Sequence, residues 1–429
     1  MQPDWLDLGE AVRRVVAGVS ALEAEEADLE AAAGRILAHD VIAPIDVPRW
    51  TNSAMDGFAV RAADVAGASA QSPVELPVVD DIAAGNFPRI TLPPAAAARV
   101  MTGAPVPEGT DSVIRVEHTD GGRAIDSGNG TVKIFDPQDA GRHLRRKGED
   151  VREGTVALGK EMLLTPGAIG VAASLGYARL RVIRRPHVAL LTSGDELVEV
   201  DRFEEVRAGR KIVSSNSYTL AAQLRNAGAD VRYLGIAADT PESLREALEG
   251  ARGCDALLTS AGISVGEHDH VKSVLDELRT KLDFWRVKIR PGSPFAFGRV
   301  HGLGGIPWFG LPGNPVSSMV TFELFVRPAL LRMAGRSMVF PAAVRVRLLE
   351  DVQAQPGLTM LLRVRLERSD IGWDARTTGP QGSGVLSSLT RADGLLIVPG
   401  GSGGIAAGES ADVIPLDPSQ TLLTGEPPY

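Results

Sequence analysis

Val188-Ala-Leu-Leu-Thr-Ser-Gly-Asp-Glu-Leu197 is a short apolar run that stops in a glycine and two carboxylates. A run of this length, rich in aliphatic residues and closed by a turn signal, reads as a buried strand feeding a loop at its carboxyl end. Three further segments have the same build: Thr259-Ser-Ala-Gly-Ile-Ser-Val-Gly-Glu-His-Asp269, Lys288-Ile-Arg-Pro-Gly-Ser-Pro294 and Gly310-Leu-Pro-Gly-Asn-Pro-Val-Ser317. In open α/β sheets ligands bind at that edge. Four such loops within one domain's length predict one shared pocket, and with it an enzyme or a ligand-binding protein.

Around these loops, strand and helix patterns alternate. Strands are expected at 188–191, 231–236, 256–259, 285–289 and 306–310, and helices at 218–227, 241–251, 269–281 and 316–333. That rhythm predicts a doubly wound, mostly parallel α/β sheet over 184–335. Residues 5–40 carry helical periodicity on either side of the acidic stretch Glu23-Ala-Glu-Glu-Ala-Asp28. The segment 51–140 changes to short β-rich runs separated by Gly, Pro and Asp turns, which reads as a small β domain inserted into the first layer. A helix-like run at 166–175 returns the chain to that layer. The resulting map is an elongated N-terminal α/β layer (1–50 and 141–183), the inserted β domain (51–140), the α/β domain (184–335) and a C-terminal β-barrel-like domain (336–429).

Bulk composition narrows the function. The apolar fraction of 44% and charged fraction of 23% are those of soluble globular chains. A net charge of −9 disfavours nucleic acid and anionic membranes as partners, so an anionic ligand would need basic residues or a metal gathered locally. No apolar run reaches the roughly 18 residues that span a bilayer, and the N-terminus lacks a basic and apolar signal pattern; a cytoplasmic setting is expected. The one cysteine, Cys254, rules out an intramolecular disulfide and cysteine-rich metal sites, and reads as a small core residue.

Neither a P-loop nor a dinucleotide fingerprint is present, so any phosphate must be held by glycine-freed amides and helix N-termini. Ser193-Gly-Asp-Glu196 admits two readings, Mg²⁺ or substrate contact by Asp195 and Glu196, or an acid pair complementing a helix dipole. His268-Asp-His270 reads as surface histidines, because adjacent residues at a helix start point in different directions. Arg290 offers a planar fork to an oxyanion or a solvated strand end. On spacing alone Asp56, in Asn52-Ser-Ala-Met-Asp-Gly57, is a turn residue, Arg145-Arg-Lys-Gly-Glu-Asp150 is a solvated charge run and Gln381-Gly-Ser-Gly384 is a hairpin.

Together these segments are specific. Asn52-Ser-Ala-Met-Asp-Gly-Phe-Ala59, Thr102-Gly-Ala-Pro-Val-Pro107, Arg145-Arg-Lys-Gly-Glu-Asp150, Thr192-Ser-Gly-Asp-Glu-Leu197, Gly262-Ile-Ser-Val-Gly-Glu267, Arg290-Pro-Gly292 with Pro294-Phe-Ala-Phe-Gly298, Leu311-Pro-Gly-Asn-Pro-Val-Ser317 and Gln381-Gly-Ser383 follow in that order. The chain resembles the molybdopterin molybdenumtransferases, the MoeA-like proteins related to the gephyrin E domain, essentially from end to end.

The resemblance implies the last step of molybdenum cofactor synthesis. Molybdenum from molybdate enters adenylylated molybdopterin with release of AMP, with Mg²⁺ as cofactor. It also implies a homodimer with the site across the interface, and transient contact with other cofactor-synthesis enzymes and apo-molybdoenzymes. Carried onto matching positions, it marks Asp56, Glu196, Asp239 and Asp269 as functional acids, with Glu196 and Asp269 as Mg²⁺ ligands. It marks Arg290, Pro291, Ser264, Ser317, Arg363 and Ser383 as the molybdate side. Thr102, Ser193, Gly194, Gly262, Pro312 and Pro315 are substrate contacts on the same basis. The chain departs from the family pattern at Arg290, where many relatives have Lys, at Ser293, where many have a second Lys, and at Ala261, where Gly is common. A non-catalytic molybdopterin-binding scaffold, a molybdopterin adenylyltransferase-like enzyme and a tungsten-inserting paralogue are the competing readings.

Overall fold

The computed structural model describes residues 5–122, 130–261, 270–370 and 372–416. The chain divides into two units, one of residues 26–181 and one of residues 1–25 with 182–429. Helix α1 (Leu8–Ala17) belongs to the second of these and turns Ala11 and Val15 into its core.

The 26–181 unit is built on a five-stranded sheet of β1 (Gly57–Val60), β2 (Val74–Ile82), β3 (Ala97–Val100), β4 (Ser112–Arg115) and β5 (Thr131–Ile134), in the order β4-β1-β3-β2-β5. Successive residues in a strand point to opposite faces, and here both faces are covered. Phe58, Val60, Ala97 and Ile114 pack in one cluster, while Ala59, Ala98, Val100 and Val113 pack in another. Helix α2 (Pro166–Ser174) starts where Thr165 accepts the Ala168 N–H and Pro166 takes the first turn. The expected second N-terminal helix is cut to Leu29–Ala32. Gly34 stops it, with φ of 76° and its N–H on the Leu164 carbonyl.

The second unit opens with β6 (His187–Ser193), α3 (Ser215–Asn226), β7 (Asp230–Ala237), α4 (Pro241–Glu249) and β8 (Ala256–Ser260). Then come α5 (His270–Glu277), β9 (Thr280–Arg286), β10 (Pro294–Val300) and β11 (Ile306–Leu311). The sheet order is β7-β6-β8-β11-β10-β9, with the first four strands parallel and β10 antiparallel to both its neighbours. Alternation along β6 sends Val188 and Leu190 to one helical layer and Ala189 and Leu191 to the other. The sheet is therefore doubly wound, as expected. Two expectations shift. Helix α5 ends early because Arg279 takes a left-handed φ of 55°, so the next strand begins at Thr280 rather than 285. The expected helix 316–333 is α6 (Pro315–Thr321), a π turn (Phe322–Val326) and α7 (Arg327–Met333). Pro328 lacks the N–H a regular helix would use there, and the wider turn accommodates it.

The C-terminal strands β12 (Val344–Leu348), β13 (Thr359–Ser369), β14 (Gly372–Thr377), β15 (Gly394–Val398) and β16 (Ser410–Pro415) pair in a closed circuit, β13-β14-β12-β16-β15-β13. Closure leaves no free sheet edge in this small barrel. A two-residue strand, Ile289–Arg290, pairs in parallel with Thr359 and Met360 and so joins the α/β sheet's loops to the barrel.

Candidate functional site

The carboxyl ends of β6, β8 and β11 open onto a cavity of about 490 Å³, lined by Thr192, Glu196, Ser214, Asn216, Ser260, Pro312 and Pro315 among others. All four quoted loops contribute to it, through Glu196, Ser260, Pro294 and Pro312 among others, as their strand-loop pattern predicts. Ser193 closes β6 and is buried. Gly194 follows with φ of 149°, a backbone conformation that L side chains rarely adopt, so glycine is what lets the acid loop fold back.

Acids gather beside this loop. The Asp239 N–H donates to Asp195 Oδ1 at 3.0 Å. Burial pushes the Asp239 carboxyl above its ordinary range, and the neighbouring charges of Asp195 and Glu196 push it the same way. Glu196 and Asp239 are therefore together, while Asp269, Gly262 and Ser264 lie outside the described residues. The donor set is all hard oxygen, which fits Mg²⁺. Among the described residues no three His, Cys, Asp or Glu side chains surround one metal position.

A second cluster forms where α6 meets the barrel. Arg363 on β13 is fully buried, with Nε on Ser388 Oγ at 3.0 Å and Nη2 on the Gly382 and Pro380 carbonyls at 3.1 and 3.4 Å. Among the described residues no carboxylate bonds to it and its Nη1 has no partner, and burial pulls its pKa down. A buried cation in this state asks for an anion. Gln381 clamps the strand by accepting the Arg363 N–H at 2.9 Å and donating to the Arg363 carbonyl at 3.1 Å. The Val316 N–H donates to the Ser383 carbonyl at 3.1 Å, so the loop of Ser383 sits at the head of the helix that carries Pro315 and buried Ser317. Arg290 is exposed and donates to Gln355 Oε1; Pro291 beside it is buried. Ser293 spends its hydroxyl on the Val287 carbonyl at 3.0 Å.

Asp56 and Thr102 belong to the 26–181 unit. Asp56 Oδ1 accepts from the Thr102 N–H at 2.6 Å and from its hydroxyl at 2.8 Å, and these bonds hold the carboxyl below its ordinary range. The Asp56 carbonyl accepts the Val116 N–H, which ties the turn to the end of β4. Thr102 is thus the orienting partner of Asp56.

Sequence reasoning passed over Thr192, Ser214 and Asn216 on the cavity wall, and Glu199 and Tyr233 behind it. The polar run Ser214-Ser-Asn-Ser217, which follows a short β run and opens α3, was the available signal.

Fold and cavity define a multidomain α/β protein with its pocket at the carboxyl edge of a doubly wound sheet. Three family models match in order: the MoeA N-terminal region (domain I and II) over residues 6–176, a probable molybdopterin binding domain over 189–332 and the MoeA C-terminal region (domain IV) over 345–416. A molybdopterin molybdenumtransferase of Staphylococcus aureus is 34% identical over 94% of this chain and 94% of its own length. Molybdopterin molybdenumtransferase 2 of Mycobacterium tuberculosis is 38% identical over 90% of this chain and 93% of its own. The crystal structure of the molybdopterin biosynthesis moeA protein from Pyrococcus horikoshii superposes with a TM-score of 0.80 at 28% identity, covering 96% of this chain and 99% of that one. The chain belongs to the MoeA family of molybdopterin molybdenumtransferases.

Proposed function

We propose that this protein is an enzyme of molybdenum cofactor biosynthesis, a molybdopterin molybdenumtransferase that inserts molybdenum from molybdate. The observation that carries the reading is Arg363: a buried guanidinium with, among the described residues, an unpartnered nitrogen and no carboxylate, bonded to the loop that meets the head of α6. A small tetrahedral oxyanion meets that demand through charge-assisted hydrogen bonds. Arg290, Pro291, Ser317 and Ser383, with Ser264, complete the molybdate side.

The substrate is adenylylated molybdopterin, contacted by Thr102, Ser193, Gly194, Gly262, Pro312 and Pro315. Water adds to the phosphoanhydride phosphorus as the bond to the adenylate oxygen breaks, which releases AMP and leaves molybdopterin its phosphate. The two dithiolene sulfurs then bind molybdenum, and their protons leave with one molybdate oxygen as water. Glu196 and Asp269 would hold Mg²⁺, which would supply charge neutralisation of the phosphoanhydride, with Asp239 beside them as a further functional acid. Asp56, oriented by Thr102, completes the acids from the partner protomer of a homodimer. The working domain map is 1–50 with 141–183, 51–140, 184–335 and 336–429. The setting is cytoplasmic, with transient contacts to other cofactor-synthesis enzymes and to apo-molybdoenzymes; among the described residues no helix is long and apolar enough to cross a membrane.

The test is AMP release from adenylylated molybdopterin with Mg²⁺, with and without molybdate. Release is expected to depend on molybdate and to fall about 100-fold or more in Asp56→Ala. A folded, dimeric protein that binds molybdopterin yet releases no AMP would overturn the reading.

A further inference from the structure

Three buried side chains on the cavity wall, Thr192, Ser214 and Asn216, have no role in the reaction as assigned above. Each spends its protons inside the protein. Asn216 Nδ2 donates to Ser260 Oγ and to the Gly313 carbonyl, both at 2.8 Å. A carbonyl only accepts, so the amide orientation is fixed, and among the described residues Oδ1 is left buried without a partner. Thr192 Oγ1 lies 3.4 Å from the Gly235 carbonyl and 3.3 Å from Ser217 Oγ. Ser214 Oγ lies 2.5 Å from the same Ser217 oxygen.

Behind them Ser217 Oγ is 2.9 Å from the Tyr233 hydroxyl, which is 2.7 Å from Glu199 Oε1. Tyr218 donates to the other carboxylate oxygen at 3.1 Å. A phenol has one proton, and the carboxylate is its nearer and stronger acceptor. Tyr233 therefore donates to Glu199, Ser217 to Tyr233 and Ser214 to Ser217. The protons run outward from the cavity to Glu199. The oxygens of Ser214, Thr192 and Asn216 are left with lone pairs and nothing to donate.

We propose that Asn216, Ser214 and Thr192 form a set of acceptors on this wall that reads the amino-bearing edge of a heterocycle as specificity residues, with Tyr233 and Glu199 as positioning residues that set their proton order. The ligand class rests on the molybdopterin reading, since the pterin 2-amino edge and the adenine 6-amino group of the adenylate share this chemistry. A wall of this kind rejects an analogue carrying an oxygen in place of the amino group, because two acceptors then face each other.

The experiment is calorimetric titration of the full-length protein with two matched pairs: 6-carboxypterin against 6-carboxylumazine, and AMP against IMP. The wild type is expected to prefer the amino member of one pair by about tenfold or more, and the pair that discriminates identifies the source. The preference should collapse toward unity in Tyr233→Phe and Asn216→Ala and persist in Tyr218→Phe. Equal binding within both pairs, binding of neither, or a preference unchanged in both Tyr233→Phe and Asn216→Ala overturns the proposal. Should Asn216→Ala fail to fold, Tyr233→Phe decides, since it keeps the ring and removes only the hydroxyl. Molybdate-dependent AMP release, read on the same preparation, separates the two claims: discrimination without release sinks the enzyme reading, and release without discrimination sinks the wall.

Discussion

Ala261 follows β8 directly and holds a φ of 74°, in the left-handed region where a Cβ crowds the backbone. It lines the cavity, so the strain sits in the candidate site. Ala261→Gly should raise stability by about 1 kcal/mol, the relief of that crowding less the extra freedom glycine has when unfolded. Urea unfolding midpoints of the two proteins check this, and a lower midpoint for the glycine variant would contradict it. The same position shows what was legible at this scale. Arg290, Ser293 and Ala261 depart from the family motifs, and the structure gives the last two a physical meaning: a hydroxyl satisfied by the Val287 carbonyl at Ser293 and strain at Ala261. Asp56 was a turn residue on spacing and is indeed in a turn, but its tie to Thr102 joins residues far apart in sequence, which no local pattern reports. Asn216 and Tyr233 were illegible for the same reason, since their partners Gly313, Ser260 and Glu199 come from other elements.

Within the interrupted helix, the π turn carries Glu323, whose carboxylate accepts from Gln223 Nε2 at 2.8 Å and lies 3.7 Å from Arg327 Nε. Burial raises its pKa above the ordinary range, and Arg327 and Gln223 only partly offset that. A raised folded-state pKa on a carboxylic acid means the native state pays for ionisation. Below the unfolded-state pKa both states are protonated and there is no penalty; the penalty grows as pH rises through that value and is complete above the folded-state pKa. Glu323→Gln keeps an acceptor for Gln223 and removes the charge. It should stabilise the protein by on the order of 1 kcal/mol at pH 7, with the gain vanishing by about pH 4. Denaturant midpoints at the two pH values decide, and a gain that is larger at low pH would refute the assignment. Elements with strong local signals were legible: β6, β7, β8 and β11 lie where aliphatic runs end in turn residues. Those shaped by one residue's backbone were not, as with Arg279 closing α5 and Gly34 closing the short N-terminal helix. Strand β10 was hidden in a segment read for its chemistry, Pro294-Phe-Ala-Phe-Gly298, although its alternation buries Phe295 and Phe297 on one face of the sheet.

At the scale of the molecule, the 26–181 unit interrupts the other in sequence while holding its own resources for folding. Its sheet is covered on both faces by buried clusters made of the unit's own residues, so the apolar side chains of the sheet leave water within the unit. The buried polar centre at Asp139 is also internal. Asp139, at 1% exposure, takes Arg115 Nε at 3.0 Å and His143 Nε2 at 3.0 Å; burial alone would raise its pKa, but these bonds win and hold it at about 2. Both ends of the segment are tied within it. Arg179 bridges Glu26 at 3.4 Å and Asp28 at 3.1 Å, and the Arg181 carbonyl accepts the Ala38 N–H at 2.8 Å. Segments with close, anchored ends and a private core are those that tolerate insertion between the halves of another domain. Residues 26–181 expressed alone should therefore fold, unfold in one cooperative thermal transition and show dispersed amide resonances. A broad, non-cooperative melt with dye-binding apolar surface would mean that the unit's stability is borrowed from the rest of the chain, and that its cores, though closed, do not overcome the entropy of ordering the segment.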